Sequence, residues 1–400
     1  GGYITLEEVA AYMYAFGGDS LPANYISKKS AKPQSNPWGD YLRLNHSHFT
    51  GNTKKYPYEP KLPDISGCGG DLQYFEMDIG TTGTVTPGYT ARIYNNGTYI
   101  IRGAARLVYA PVDDIENKTF LDLQTTGDTV GDQTIDMVYD TILMQKDEDT
   151  LYVLWTARTT EENYYRFYCP FTISTKTLGR VGVNRFKVGD VVNDFSASGI
   201  RSALAANDIP CKKMYSDIGI MQKLSCRTEK GIPYYYSGTY SGDFTAIIKS
   251  ADLITWEYVS QPDFINDSKW ENATYVLGDK VYYFVRQQDT NKCGFLTAYD
   301  LIDGTWDTPV EVEDCQSRGD FIFYQDRLFL FHAPTDREHI GILEVDPQDL
   351  SNTKIVLQAK MHSSCFYPFV QYYRDGELAM SYTVARQHIR LGRFTLSAYL

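Results

Sequence analysis

The sequence predicts an all-β fold: a six-bladed β-propeller over residues 84–400, preceded by a small, mainly helical or irregular segment over residues 1–80. Two observations predict it. From about residue 84 onward, Tyr, Phe, Val, Ile and Thr alternate with polar residues in short runs broken by Gly, Asp and Asn, the period-two signature of half-buried strands. Within that region a tight turn flanked by apolar runs recurs six times at a nearly fixed period, which marks a repeat architecture.

Taken in chain order, "ITLEEVAAYMYAF" near the start is helical: Glu7 and Glu8 sit in its first turn, and apolar side chains recur at three- and four-residue steps. The six hairpins follow as "RIYNNGTYIIRGAAR", "ILMQKDEDTLYVLWTAR", "LSCRTEKGIPYYYSGTY", "TYVLGDKVYYFVRQQ", "DFIFYQDRLFLFHAPTDR" and "FVQYYRDGELAMSYTVAR". Their turns fall near residues 97, 149, 231, 279, 326 and 376, so all steps but one are about 50 residues, the length of a four-stranded blade. The longer step, between 149 and 231, requires an insertion. A two-sheet sandwich would not normally need so long a chain.

Composition narrows the function. The chain has 400 residues, 43% of them hydrophobic, enough to bury a large core. No apolar run approaches the ~18 residues that would span a bilayer, so no membrane span is expected. The start "GGYITLEE" lacks a basic region followed by an apolar core, so a signal peptide is either absent or already removed. A net charge of −12 disfavours a nucleic-acid partner. The seven cysteines, at 68, 169, 211, 226, 293, 315 and 365, form no C-x-x-C pair and have no His at zinc spacing. His46 and His48 in "NHSHF" alternate like one face of a strand and lack further ligands. Neither a metal nor a cofactor is expected, and a monomer is the expected state.

Five of the six hairpins are followed by an arginine: Arg102 or Arg106, Arg158, Arg286, Arg337 and Arg386. A single such arginine serves equally well as a solvated cap on a strand end. Several at equivalent places suggest a shared pocket, because guanidiniums gathered together repel one another unless an anion or carboxylates offset them, and their planar fork suits a carboxylate.

These motifs resemble the sialidase superfamily. In "KWENATYVLGDKVYYFVRQQ", Glu271 precedes a Gly-Asp turn and Arg286 follows it, similar to a sialidase blade. "LFLFHAPTDREHIGI" resembles the segment in which a proline, here Pro334, precedes a second substrate-binding arginine, here Arg337. "CFYPFVQYYRDGELAMSY" resembles the last blade, with Tyr367 nine residues before Gly376. "SADLITWEYV", with Asp252 and Trp256, and "DLIDGTWDTP", with Asp303 and Trp306, look like degenerate Asp-boxes of the BNR repeat, the S-x-D-x-G-x-T-W turn. The resemblance covers residues from about 84 to 400. It implies a secreted or cell-surface exo-glycosidase acting on terminal acidic sugars of glycans. Tyr367 is then the nucleophile, Glu271 its base, and Arg286 and Arg337 the ligands of the sugar carboxylate. A tyrosine suits this chemistry because a carboxylate nucleophile would be repelled by the substrate's own carboxylate; sialidases are an exception to the two-carboxylate scheme. The chain departs from the pattern in its first blade. There Arg92 stands without the proline of the Arg-Ile-Pro motif, and the candidates for the acid are Asp113 and Asp114 in "YAPVDDIENK".

The N-terminal segment is similar in pattern to barnase-type ribonucleases. Lys28 matches a phosphate-contacting lysine, Glu76 the general base, and Arg102 with Arg106 an R-x-x-x-R pair. The arginines come too late after Glu76, however, and no histidine follows to act as the acid, so ribonuclease activity is not expected.

Three functions remain open at this level: a sialidase-type hydrolase, a non-catalytic propeller that binds acidic glycans, and a five-bladed glycosidase related to the arabinanase and fructanase groups. "SADLITWE" suggests the last. It requires three converging carboxylates, with Asp217 and Glu271 as candidate members.

Overall fold

The structure, a computed structural model, describes residues 92–95, 98–101, 104–109, 119–147, 149–215, 217–219, 225–262, 269–287, 293–315, 318–337, 339–360, 365–372, 378–384, 388–394 and 396. They are nearly all β, and the run of antiparallel meanders is consistent with a β-propeller. The chain divides into two compact units, residues 76–107 with 121–319 and residues 1–75 with 108–120 and 320–400.

Each of the six expected hairpins is present. The first is β1 (Arg92–Asn95) with β2 (Thr98–Ile101), and β3 (Ala104–Tyr109) with β4 (Thr119–Thr125) follows as a separate two-stranded sheet. The next sheet, around the hairpin at 149, runs in the order β5 (Thr129–Val130), β6 (Gln133–Gln145), β7 (Thr150–Thr159), β8 (Tyr164–Thr172) and β10 (Gly182–Val183), with β9 (Thr177–Leu178) also paired to β8. The insertion is then an extra hairpin, β11 (Arg185–Val188) with β12 (Val191–Asp194), and a helix, α1 (Ala197–Ala205). Ser196 caps α1 by accepting the Gly199 N–H at 3.0 Å. The meander β13 (Ser225–Glu229), β14 (Ile232–Ser241), β15 (Phe244–Ser250) and β16 (Thr255–Ser260) takes β11 in parallel on its outer strand, β16.

The fourth hairpin opens the sheet β17 (Lys269–Leu277), β18 (Lys280–Gln287), β19 (Gly294–Asp300) and β20 (Val310–Val312). In the other unit stand β21 (Asp320–Tyr324), β22 (Arg327–His332), β23 (His339–Val345) and β24 (Lys354–Lys360), and then β25 (Cys365–Tyr372), β26 (Leu378–Val384) and β27 (His388–Phe394).

The turns explain the register. Lys230 and Gly231, and Gln325 and Asp326, each hold positive φ at both central positions, the twist that matches a two-residue hairpin. The outer turns use a different device. Asp252 accepts the N–H groups of Ile254 and Thr255 at 2.8 and 2.7 Å, Asp300 those of Ile302 and Asp303 at 2.8 and 2.9 Å, and Asp346 that of Gln348 at 2.9 Å. Each carboxylate ends or follows the third strand of its meander and stands in for a strand partner. In the second of the two expected Asp-boxes the organising carboxylate is therefore Asp300, not Asp303. The Asp-to-Trp spacing also differs between the two turns, so they are not copies of one motif.

The larger unit buries Phe186, Phe195, Ile200, Leu204, Phe244, Ile248 and Trp256 around α1, and a second cluster of Tyr236, Ile247, Val281, Tyr283 and Val285 between β14 and β18. At ~25 cal/mol per Å² of apolar surface these aromatic-rich layers supply the dominant stabilisation.

Candidate functional site

In two sheets of the larger unit, a carboxylate seated in a β-bulge meets the arginine that follows the hairpin. In β6 the pairing shifts between Ile135 and Met137, opposite Thr159 and Arg158, leaving Asp136 as the extra residue. Asp136 holds Arg158 through both oxygens, Nε to Oδ1 at 2.8 Å and Nη2 to Oδ2 at 2.9 Å. In β17 the shift falls between Lys269 and Asn272, and Glu271 meets Arg286 on β18, Nη1 to Oε2 at 2.6 Å. The Glu271–Arg286 side chains are each 7% exposed, against 30% and 19% for Asp136 and Arg158. Glu271 and Arg286 share one end of their hairpin, as a buried pair. Two buried opposite charges are tolerable only because each offsets the other's desolvation.

The backbone beneath Glu271 is fixed by its neighbour. Asn272 donates through Nδ2 to the Thr239 carbonyl at 3.1 Å and to Thr245 Oγ1 at 3.0 Å. It can sit so close because residue 238 is glycine: a Cβ there would lie 2.0 Å from Asn272 Oδ1. The end of β14 thereby carries the start of β17.

The same end of β14 carries another segment, residues 213–219. Gly219 exchanges backbone hydrogen bonds with Tyr240 at 3.1 and 3.2 Å, and its carbonyl also accepts from Thr239 Oγ1 at 2.9 Å. On the other side the Ile218 carbonyl accepts from Thr156 Oγ1 at 3.2 Å, and Thr156 accepts from the fully buried Arg166 at 2.9 Å. Asp217 is half-buried on this segment, and burial pushes its carboxyl above the usual carboxylate range. Its charge acts on Tyr164, whose hydroxyl is raised chiefly by burial and lies beside Arg158.

In the smaller unit, Tyr367 sits where the β25–β26 register shifts between Phe366 and Phe369, buried and at φ +59°. A bulky residue in the left-handed region is strained, and such strain concentrates at working positions. Just beyond it, the Val370 N–H donates to the buried Asp320 carboxylate at 2.7 Å. Arg337 is partly exposed at φ +55°, its N–H donating to the Pro334 carbonyl at 3.0 Å. His332, at the end of β22, is buried against Gly341, where a Cβ would lie 2.1 Å from its Nε2. Arg92 lies in β1 opposite Ile101. Asp113, Asp114, Lys28, Glu76, Arg102, Arg386, His46 and His48 lie outside the described residues, and Arg106 lies in β3.

No protein-family profile and no curated protein matches the chain. Among solved structures, the Hadza microbial sialidase Hz136 superposes with a TM-score of 0.52 at 12% identity, covering 87% of this chain and 72% of that one. The fold is sialidase-like. Trypanosoma rangeli sialidase, in complex with 2,3-difluorosialic acid, gives 0.48 at 12% identity over 85% of this chain, which spans 58% of that protein's length. A candidate glycoside hydrolase from Bacteroides ovatus gives 0.40 at 11% identity, covering 86% of this chain and 98% of that one.

Of the residues singled out from sequence, the sialidase-like fold brings Glu271 and Arg286 together. Asp136, Asp320 and His332 went unnoticed. Asp320 opens β21 and His332 closes β22, but counted from their turn Asp320 stands opposite Phe331, so the hairpin register does not make them a pair.

Proposed function

We propose that this protein is a glycoside hydrolase of sialidase-like type, built on six blades, that acts on terminal acidic sugars of glycans outside the cell. The observation that carries the reading is the buried Glu271–Arg286 pair at one end of its hairpin, within a sialidase-like fold. In this reading Glu271 takes the phenolic proton of Tyr367 as the tyrosine oxygen attacks the anomeric carbon, and Arg286, Arg337 and Arg92 bind the sugar carboxylate. The strained backbone at Tyr367 and at Arg337 supports assigning them working roles.

A second reading has its own support. Arg158 and Arg286 are already held by carboxylates, which leaves less cationic character for an acidic sugar and favours a glycosidase of neutral sugars that works through carboxyl groups, Asp217 and Glu271 among them.

One panel separates the readings: aryl glycosides of sialic acid, a uronic acid and arabinofuranose, assayed with wild type, Glu271→Gln, Tyr367→Phe and Arg337→Ala. Turnover of the acidic glycosides that is lost in Tyr367→Phe and weakened in KM by Arg337→Ala is the expected result. Turnover of the neutral glycoside alone, insensitive to Tyr367→Phe, selects the second reading. Wild type inert on all three overturns both.

A further inference from the structure

The reaction proposed above asks a buried tyrosine to hold one position near the start of a strand, and a carboxylate of another sheet is placed to hold it there. Resting on that reading, we infer that Asp320 is the positioning residue for Tyr367: it fixes the bulge of β25 from which the tyrosine acts. The tie is direct. Asp320, 2% exposed, opens β21, and its Oδ2 accepts the Val370 N–H of β25 at 2.7 Å. Val370 stands three residues after Tyr367 on the same strand, and all three residues belong to the smaller unit. Asp320 is itself set by a ladder, opposite Phe331 on β22, so a strand and not a loop delivers the carboxylate.

The geometry of β25 shows why it needs such a tie. Phe366 pairs with Thr383 and Phe369 with Ser381, so Tyr367 and Pro368 together oppose Tyr382. Two residues against one is a β-bulge, and Tyr367 at φ +59° is its strained member. Pro368 has no N–H to give to a ladder and cannot help to close the bulge. β25 is also the end strand of its sheet, in the order β25, β26, β27, so alternate N–H groups along it point away from β26. The Val370 N–H is one of these, and Asp320 gives it a buried acceptor. Between Val370 and Tyr367 lie only Phe369 and Pro368, whose ring locks φ at about −65°, so few torsions remain by which the tyrosine could drift once Val370 is held. A residue in the left-handed region stays there only where its surroundings over-determine it.

A nucleophile must meet the anomeric carbon at near-attack distance, and a misplacement of about 1 Å can cost about 10²-fold in rate. With Val370 released, the bulge can relax Tyr367 toward an unstrained φ, and a change in φ swings the whole phenol ring. Asp320 thus acts on the phenolic oxygen through the backbone alone and touches neither the substrate nor the proton in transfer. Its loss should lower kcat and leave KM, set by the arginines that bind the sugar carboxylate, nearly unchanged.

Asp320→Asn keeps an oxygen for the Val370 N–H, whereas Asp320→Leu keeps the volume and removes the acceptor. On the acidic aryl glycoside that wild type turns over, Asp320→Leu should lose about 10²-fold in kcat with KM within about 3-fold, and Asp320→Asn should return to within about 5-fold of wild type. Hydrogen exchange of the Val370 amide, followed by ¹H–¹⁵N NMR, should be slow in wild type and Asp320→Asn and fast in Asp320→Leu. Leu330→Ala, at a fully buried position of the same hairpin, is the stability control and should keep kcat when assayed well below its melting temperature. A Val370 amide equally protected in Asp320→Leu, a kcat loss as large in Leu330→Ala, or a loss that lies in KM overturns the assignment and leaves the glycosidase reading intact. Where Asp320→Leu does not fold, Asp320→Thr, whose hydroxyl stands one bond nearer the backbone, takes its place under the same criteria. Wild type inert on every acidic glycoside, or Tyr367→Phe as active as wild type, overturns the tyrosine mechanism and this assignment together.

Discussion

Arg286→Met tests whether the Glu271–Arg286 pair is as dry as its geometry states. The substitution keeps an unbranched stem of similar length and removes the guanidinium, leaving a carboxylate that is 7% exposed without its partner at 2.6 Å. Unit charges about 4 Å apart attract by about 4 kcal/mol at an effective dielectric near 20. The desolvation of both ions largely offsets that gain, so the intact pair contributes little net stability, whereas removing the guanidinium takes its attraction from Glu271 and leaves the desolvation of the carboxylate. The expected loss is about 3–5 kcal/mol. In urea, with a slope of about 3 kcal/mol per M, the unfolding midpoint should fall by about 1–2 M. Two further variants fix the interpretation. Arg158→Met, in the pair that is 19% and 30% exposed, should lose only about 1–2 kcal/mol, because water reaches Asp136. The double variant Glu271→Met/Arg286→Met should recover most of the stability lost in Arg286→Met, since it removes the stranded charge as well. A loss under about 1 kcal/mol in Arg286→Met, or a double variant no better than the single, refutes the buried-pair argument and returns both charges to a hydrated setting.

Three other outcomes follow from the geometry. Asp326→Gly, at φ +59° in the tight turn between β21 and β22, should raise the melting temperature, by the equivalent of about 0.5–1 kcal/mol in calorimetry, because glycine adopts that conformation without strain. Gly238→Ala should lose about 1–3 kcal/mol and also reduce activity, since its Cβ would displace the Asn272 amide that seats Glu271; thermal unfolding and turnover measured on one preparation check both. For Asp300 and Asp346, hydrogen bonds from the backbone N–H groups of Asp303 and Ile302, and of Gln348, hold the carboxyl groups below their usual range. A depressed carboxylate contributes stability above its unfolded pKa and loses it as pH falls through the folded one. The deficit of Asp300→Ala or Asp346→Ala should therefore be full at pH 7 and shrink below about pH 4, as urea titrations across that range would show.

The insertion shows where sequence reading stopped on the fold. The spacing of turns located it between residues 149 and 231, but "ASGIRSALA" is only nine residues long, with a serine cap and two further serines, too short to stand out as a helix in a strand-rich region. What stabilises α1 is tertiary: Ile200, Ala203 and Leu204 are buried against the layer that contains Phe186 and Trp256. The parallel pairing of β11 on β16 was equally invisible, because its partners lie about 70 residues apart and no local turn specifies them.

The site was legible wherever register could be counted from a turn. Leu277 pairs with Lys280 across Gly278 and Asp279, and the pairing then runs unbroken to Asn272 and Val285, so the next step back sets Glu271 opposite Arg286. Two residues fifteen apart in sequence thus become cross-strand neighbours by arithmetic alone. The bulge begins at Glu271 itself, the first residue past the Asn272–Val285 pair, so the count from the turn reaches it undisturbed. The pairing of Asp136 with Arg158 escaped because β6 slips twice, once between Tyr139 and Ile142 and again between Ile135 and Met137, and each slip destroys the parity on which the count depends. A bulge has no strong sequence signature, since any residue can be the extra one. Yet the outcome is the same chemistry reached by two registers, an acid near the start of the first long strand held by an arginine at the end of the next. Strand ends are where an antiparallel ladder stops satisfying its own charges and backbone, so a charged pair placed there offsets both deficits at once. At those ends Arg158 and Arg286 each meet a carboxylate, Asp136 and Glu271.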